Sequence, residues 1–280
     1  MKSPFLYPGS KGKPRDLRQI RSLIPPHDEY REPFLGGGSI FFNNPRSPSE
    51  AILGDINADL IDCYQAIRCY PEMICKALPR WNPHPRQGQI TAEKYREFWQ
   101  DRNNVDPLSC SLADRAARFI FLNRTSFQGL GGMLKPEDTR YNPPVIRRRI
   151  KEASRLLQNA QIWNAEFGLL MQHKVEIKTF MFVDPPYLGS NNDACYKHDS
   201  WNEDKFYQMV ELLKSAKFKW LLTHEDCDLV RNALDGFPRH IFQWDKRQVR
   251  KKIQRSSEVY IANYPIKEII ENRLEVDLFM

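Results

Sequence analysis

Two rhythms of apolar and polar positions divide the chain. Residues 30–34 have strand character and run into Leu35-Gly36-Gly37-Gly38-Ser39, after which Ile40, Phe41 and Phe42 open a helix-like pattern. A second strand at 51–54 ends at Asp55, and the succession strand, glycine turn, helix, strand predicts a βαβ unit. Beyond Asp55 the character changes. Residues 58–78 read as one helix with Leu60, Ile61, Tyr64, Ile67 and Ile74 at its apolar positions, followed by a proline-rich break at 79–85. Helical patterns return at 92–100 and 113–122, and a stretch rich in glycine and proline covers 128–144. From Val145 the α/β alternation resumes. It gives a basic amphipathic helix at 147–157, strands at 161–167 and 180–183, a helix near 204–215, a strand at 218–223, and two final strands at 239–245 and 258–264. The strand-poor middle, residues 57–145, therefore reads as a helical insertion in an α/β domain built from 1–56 and 146–280.

Composition narrows the class. The chain has 280 residues, 41% hydrophobic and 28% charged, which supplies a sizeable core and excludes disorder throughout. No apolar run approaches the ~20 residues of a membrane helix. The first ten residues, broken by Pro4, Pro8 and Gly9, lack the apolar segment of a signal peptide, so a cytoplasmic protein without a membrane partner is expected. Lys and Arg number 42 against 35 Asp and Glu, a net charge of +7. That excess suits a polyanionic partner and equally suits a solubilising surface. Cys63, Cys69, Cys75, Cys110, Cys195 and Cys227 form no Cys-x-x-Cys pair, and they read as thiols of a reducing compartment. The histidines show no paired ligand spacing, and no metal is expected. His224-Glu225, at a strand end, reads as a structural pair or as the border of a pocket.

Chemistry concentrates at two places. Gly36-Gly37-Gly38 after a strand lets the backbone approach a ligand at a turn. Asp55, 17 residues beyond Gly38 at the end of the next strand, is placed to hold ribose hydroxyls, although a tight turn with a surface carboxylate would look the same. The Gly-x-Gly-x-x-Gly fingerprint is incomplete because Phe41 takes its last position. A nucleoside ligand without phosphates, such as S-adenosylmethionine, fits better than a dinucleotide. The sharper feature is Asp184-Pro185-Pro186-Tyr187. Two prolines fix φ and remove two N–H donors. The Asp184 carboxylate and the Pro185 carbonyl then stand as adjacent acceptors for an NH₂ group, and Tyr187 offers a face to a planar ring. The tetrapeptide reads as a clamp for a heteroaromatic amine, at the strand edge where open α/β sheets bind ligands.

Five segments occur in order: Tyr7-Pro8-Gly9-Ser10-Lys11, Glu32-Pro33-Phe34-Leu35-Gly36-Gly37-Gly38-Ser39, Gly54-Asp55-Ile56-Asn57, Leu122-Asn123-Arg124-Thr125-Ser126-Phe127-Gln128-Gly129 and Asp184-Pro185-Pro186-Tyr187. In this arrangement the chain resembles the Dam-like, D12-class adenine-N6 DNA methyltransferases over essentially its whole length. The resemblance implies a Rossmann-like methyltransferase sheet, mostly parallel with the last strand antiparallel, and an inserted helical target-recognition domain carrying a β-hairpin. It implies that Tyr7, Lys11, Phe34, Gly36, Gly38, Asp55 and Asp184 line an S-adenosylmethionine site. Methyl transfer to adenine N6 then needs neither metal nor covalent intermediate, only the amine held by Asp184 and Pro185 with its lone pair aimed at the sulfonium methyl. The amine is inaccessible inside a duplex, so the base must flip out and stack on Tyr187.

The same resemblance makes 123–142 a recognition hairpin in which Asn123, Arg124, Phe127, Gln128 and Leu130 meet double-stranded DNA, Phe127 as a wedge and Gln128 facing the orphaned base. Members that methylate GATC carry an Arg three residues after the hairpin's glycine, and here Gly132 stands there. Without that Arg–guanine contact, worth ~1–3 kcal/mol, a short target other than GATC is expected. Arg247, Arg250, Lys251 and Lys252, between the last two strands, read as phosphate contacts or as a solvated basic face. Cytosine-N4 and RNA-adenine enzymes present the same kind of amine to their clamps, but cytosine-N4 enzymes more often carry Ser where Asp184 stands. A monomer is implied, together with a cognate restriction endonuclease acting separately if the chain serves a restriction system.

Overall fold

The strand pattern becomes a mixed α/β architecture in the computed structural model, which describes residues 1, 3–5, 11–46, 48–81, 91–126, 129, 134, 141–174, 178–188, 201–247 and 253–266. Along the chain the elements are α1 (Pro14–Leu23), β1 (Glu29–Glu32), β2 (Glu50–Asp55), α2 (Ala58–Cys69), α3 (Pro71–Trp81), α4 (Ala92–Asn103), α5 (Leu112–Thr125) and α6 (Pro143–Leu157). They continue with β3 (Ala160–Asn164), α7 (Phe167–Gln172), β4 (Thr179–Val183), α8 (Glu203–Ser215), β5 (Lys219–Glu225), α9 (Asp228–Ala233), β6 (Arg239–Arg247) and β7 (Ile253–Ala262). Packing divides the chain into two units. One contains Met1–Leu17, Gly36–Asn43 and Asn57–Asn164, the other Arg18–Leu35, Asn44–Ile56 and Ala165–Met280.

Several expected elements take a different form. The helix expected from Ile40 is a single 3-10 turn, Phe41–Asn43. Pro45 disfavours helical geometry at Asn44, and the Asn43 side chain donates to the Ser39 carbonyl at 2.8 Å, tying the turn off. The single helix expected over 58–78 is two helices, α2 and α3, because Tyr70 leaves helical geometry (φ −133°, ψ 44°) and Pro71 starts the next helix. Helix α3 runs through Pro79 to Trp81, so the expected break does not begin at Pro79, and its remainder, 82–85, lies outside the described residues. The strand expected to reach Phe167 stops at Asn164, and Phe167 opens α7. Helices α1, α7 and α9 are not among the expected elements: α1 does carry Leu17, Ile20 and Leu23 at helical spacing, whereas α7 and α9, six residues each, are too short to show a period.

Six strands lie in the second unit, hydrogen-bonded in the order β2-β1-β4-β5-β7-β6. The pairs β2–β1, β1–β4 and β4–β5 are parallel, whereas β7 runs antiparallel to both β5 and β6. Strand β4, Thr-Phe-Met-Phe-Val, is buried at every position, as a central parallel strand covered on both faces must be. Helix α8 packs Phe206, Met209, Val210 and Leu213 with Met181, Val183, Trp220 and Leu222 of the sheet. Strand β1 buries Arg31 completely. Its guanidinium pairs with Glu29 at 2.6 Å and donates to the carbonyls of Leu170, His173 and Lys174, the unsatisfied end of α7. A Cβ on Gly54 of β2 would collide with the Leu170 side chain, so glycine there lets α7 approach the strand. Strands β6 and β7 continue as a two-stranded arm past Glu225↔Glu258, the last pairing with β5, as far as Arg247↔Ile253.

The described residues of the first unit are mostly helical, with β3 as their one named strand. Helix α5 is tied to its neighbours by side chains: the Trp99 indole donates to Thr125, and the Cys63 thiol approaches the Ala116 carbonyl. Cys63, Cys69, Cys75, Cys110 and Cys227 are free thiols. Among the described residues, no helix is long and apolar enough to cross a membrane.

Candidate active site

In the second unit the parallel strands point their carboxyl ends to one edge, where acidic side chains collect. Glu32 ends β1, Asp55 ends β2, Asp184 follows β4 and Glu225 ends β5. Glu258 of β7 stands opposite Glu225. The sequence spreads these residues over more than 200 positions, and only the strand order makes them neighbours on an edge.

Asp184 is half-buried. The register Val183↔Leu222, continued by one residue, brings it level with Thr223, and Thr223 donates to Asp184 Oδ1 at 2.7 Å. Pro185 is buried, and Pro186 and Tyr187 are half-buried. The Tyr187 hydroxyl donates to Glu258 Oε1 at 3.1 Å, and its ring stacks on His224, with centroids 4.8 Å apart and planes at 27°. Burial, with Asp184 and Glu258 nearby, pushes the Tyr187 phenol well above its ordinary range, so it remains a donor. On β1, Tyr30 donates to Glu32 at 2.7 Å across one face of the strand. Burial, then Glu32, then Asp184 hold that phenol protonated too.

Phe34 stacks on Phe167, with centroids 5.4 Å apart and planes at 22°, while Trp201 meets both rings edge-on at 5.3 and 5.7 Å. The Trp201 indole N–H is buried and has no hydrogen-bond partner among the described residues. Asp55 is half-buried, and its backbone carbonyl accepts from Ala165 at 3.3 Å. Of the residues singled out from the sequence, Phe34, Asp55, Asp184 and Tyr187 lie along this edge, together with Phe167, Trp201, Thr223 and Glu258, which carry no local motif. His224 is fully buried and serves as a stacking platform.

Other expected site residues lie in the first unit. Gly36 and Gly38 have positive φ, 45° and 62°, the backbone that the glycine turn requires. The Gly36 carbonyl accepts from Tyr64 at 2.9 Å. Lys11 is buried. Asn123 and Arg124 are buried as well, and their side chains are committed to the protein. Asn123 donates to the Gly129 carbonyl at 2.8 Å, and Arg124 donates to the carbonyls of Ser3 and Pro4. Asn123 holds Gly129 and Arg124 holds the N-terminal segment, and neither side chain is exposed for contact. Ser126 and Leu134 form an antiparallel bridge, and Gly129 has φ 83°. Tyr7, Phe127, Gln128, Leu130, Arg250, Lys251 and Lys252 lie outside the described residues. Arg247 is the last residue of β6, at the end of the arm.

A parallel sheet with one reversed strand near its margin, and a carboxyl edge of acids and aromatic rings, defines an α/β protein with its polar groups at the edge where open α/β sheets bind ligands. Comparison with known proteins narrows the class. The profile of the D12 class N6 adenine-specific DNA methyltransferases matches residues 7–252. The type II methyltransferase M.MjaIII of Methanocaldococcus jannaschii is 29% identical over 84% of this chain and 88% of its own length. The type II methyltransferase M1.LlaDCHI of Lactococcus lactis is 24% identical over 90% and 93%. A DNA adenine methylase of Vibrio cholerae is 27% identical over 65% of each chain. The chain belongs to the D12 class N6 adenine-specific DNA methyltransferase family.

Proposed function

We propose that this enzyme transfers a methyl group from S-adenosylmethionine to the N6 amine of an adenine flipped out of double-stranded DNA, within a short target other than GATC. The observation that carries the reading is the Asp-Pro-Pro-Tyr turn at the sheet's carboxyl edge, its carboxylate and phenol both fixed by hydrogen bonds. The residues fit the cofactor. The acidic edge complements a sulfonium and an ammonium, the Phe34–Phe167–Trp201 rings suit a purine, and the unpaired Trp201 donor suits a ring nitrogen. Phe34, Asp55 and Asp184, with Tyr7, Lys11, Gly36 and Gly38, would hold it. S-Adenosylmethionine supplies the methyl group as an electrophile. Asp184 and the Pro185 carbonyl accept from the adenine amine and aim its lone pair, and Tyr187, backed by His224, offers its other face to the flipped base.

Residues 57–145 act in target recognition in this reading. Phe127, Gln128 and Leu130 meet the DNA, and Asn123 and Arg124 hold the segment that presents them. Arg247, Arg250, Lys251 and Lys252, at the end of the β6–β7 arm, contact phosphates. A monomeric cytoplasmic enzyme is expected, working alone or beside a separate restriction endonuclease. The type II names of two relatives favour the second setting.

The test is single-molecule sequencing of DNA from a methylation-free host expressing the chain, with Asp184→Ala alongside. One short motif carrying N6-methyladenine, lost in the variant while DNA binding persists, is the expected result. GATC as that motif would overturn the inference from Gly132 alone, and activity surviving in Asp184→Ala would overturn the clamp.

A further inference from the structure

We infer that Thr223 of β5 and Glu258 of β7 are positioning residues that set the clamp from behind, Thr223 orienting the Asp184 carboxylate and Glu258 the Tyr187 ring. The inference rests on the proposed amine-methylating function of this site. An aspartate can direct acceptor lone pairs at an amine only if its own rotation is stopped. The Thr223 hydroxyl, on a fully buried and β-branched side chain, donates to Oδ1 at 2.7 Å and so fixes the plane of the carboxylate. Tyr187 is restrained at both ends, by Glu258 at its hydroxyl and by His224 against one face.

Neither residue type is demanded by the sheet. Glu258 stands directly opposite Glu225, a like-charge pair that costs stability. A fully buried strand position takes Val as readily as Thr, provided that no hydroxyl is needed. The Thr223 hydroxyl and a Glu258 carboxylate oxygen each bond to the Asp-Pro-Pro-Tyr turn, which points to a task at the site.

The experiment uses the full-length enzyme, labelled S-adenosylmethionine and a duplex carrying the motif found by sequencing. Thr223→Val removes the donor at constant shape, and Thr223→Ser restores it. Glu258→Leu removes the acceptor, and Glu258→Gln restores one without the charge. The expected result is a loss of kcat of about 10- to 100-fold in Thr223→Val and Glu258→Leu, the scale of a slight misplacement of reacting groups. KM for both substrates should stay within about threefold, and Ser and Gln should recover most of the rate. Full kcat in either disrupted variant overturns the inference for that residue, as does an equal loss in its restoring partner. Should Thr223→Val fail to fold, the Glu258 pair still decides its own half, and Thr223→Ala against Thr223→Ser decides the other. Wild-type protein that leaves adenine unmodified would instead overturn the functional reading.

Discussion

Arg31 shows how far a single residue can depart from its type. Arginine is rarely fully buried, yet here it sits in β1 with Glu29 as its counter-charge and three carbonyls at the end of α7 as acceptors. Thr179 adds a further donor to Glu29 at 2.8 Å. Removing the guanidinium takes its cation from a half-buried carboxylate and leaves several carbonyls unpaired together. Arg31→Met is expected to lower the unfolding free energy by about 3–5 kcal/mol, read from urea midpoints. The sequence marks Arg31 only as one residue of a short strand, because nothing local announces that α7 will end against it. Asp184 and Tyr187 are the opposite case. Their tetrapeptide fixes its own backbone through two prolines, so its chemistry is legible without any neighbour.

At the scale of elements, α3 carries an internal proline with a visible compensation. Pro79 has no N–H to give the Cys75 carbonyl one turn earlier. Arg147 of α6 donates to that carbonyl instead, at 3.2 Å. Two helices are thereby joined through the defect in one of them. Arg147→Met should destabilise the protein by about 1–3 kcal/mol. The same change made on a Pro79→Ala background should cost measurably less, since the substituted alanine returns the missing donor. A double-mutant cycle in urea reads the coupling, and additive effects would refute it. The sequence shows a proline-rich break and a run of three arginines and gives no sign that they meet.

For the whole molecule, buried phenols link stability to pH. Burial raises Tyr30, Tyr141, Tyr187 and Tyr264 above their ordinary range, and at Tyr30 and Tyr187 carboxylates add to it. The folded state keeps these protons while the unfolded chain loses them near pH 10. Stability is therefore fully present below about pH 10 and falls as pH rises beyond it, by up to about 1.4 kcal/mol per pH unit for each such tyrosine. Urea midpoints between pH 8 and 11 should show the decline. Tyr264→Phe, which forfeits one hydrogen bond to the Leu23 carbonyl, should make it shallower.

By itself the sequence determined whatever is encoded within a few consecutive residues. Strand β4 is a continuous apolar run, the glycine turn needs positive φ, and two prolines fix the backbone of the Asp-Pro-Pro-Tyr turn. The family follows from such local segments and their order. Tertiary structure alone decided what depends on residues far apart in the chain. It inserted β7 between β5 and β6, split the long helix at Tyr70, and buried Asn123 and Arg124. It also set Thr223 and Glu258 behind the clamp. Register and strand order create those contacts, and both are properties of the packed sheet that no short stretch of sequence contains.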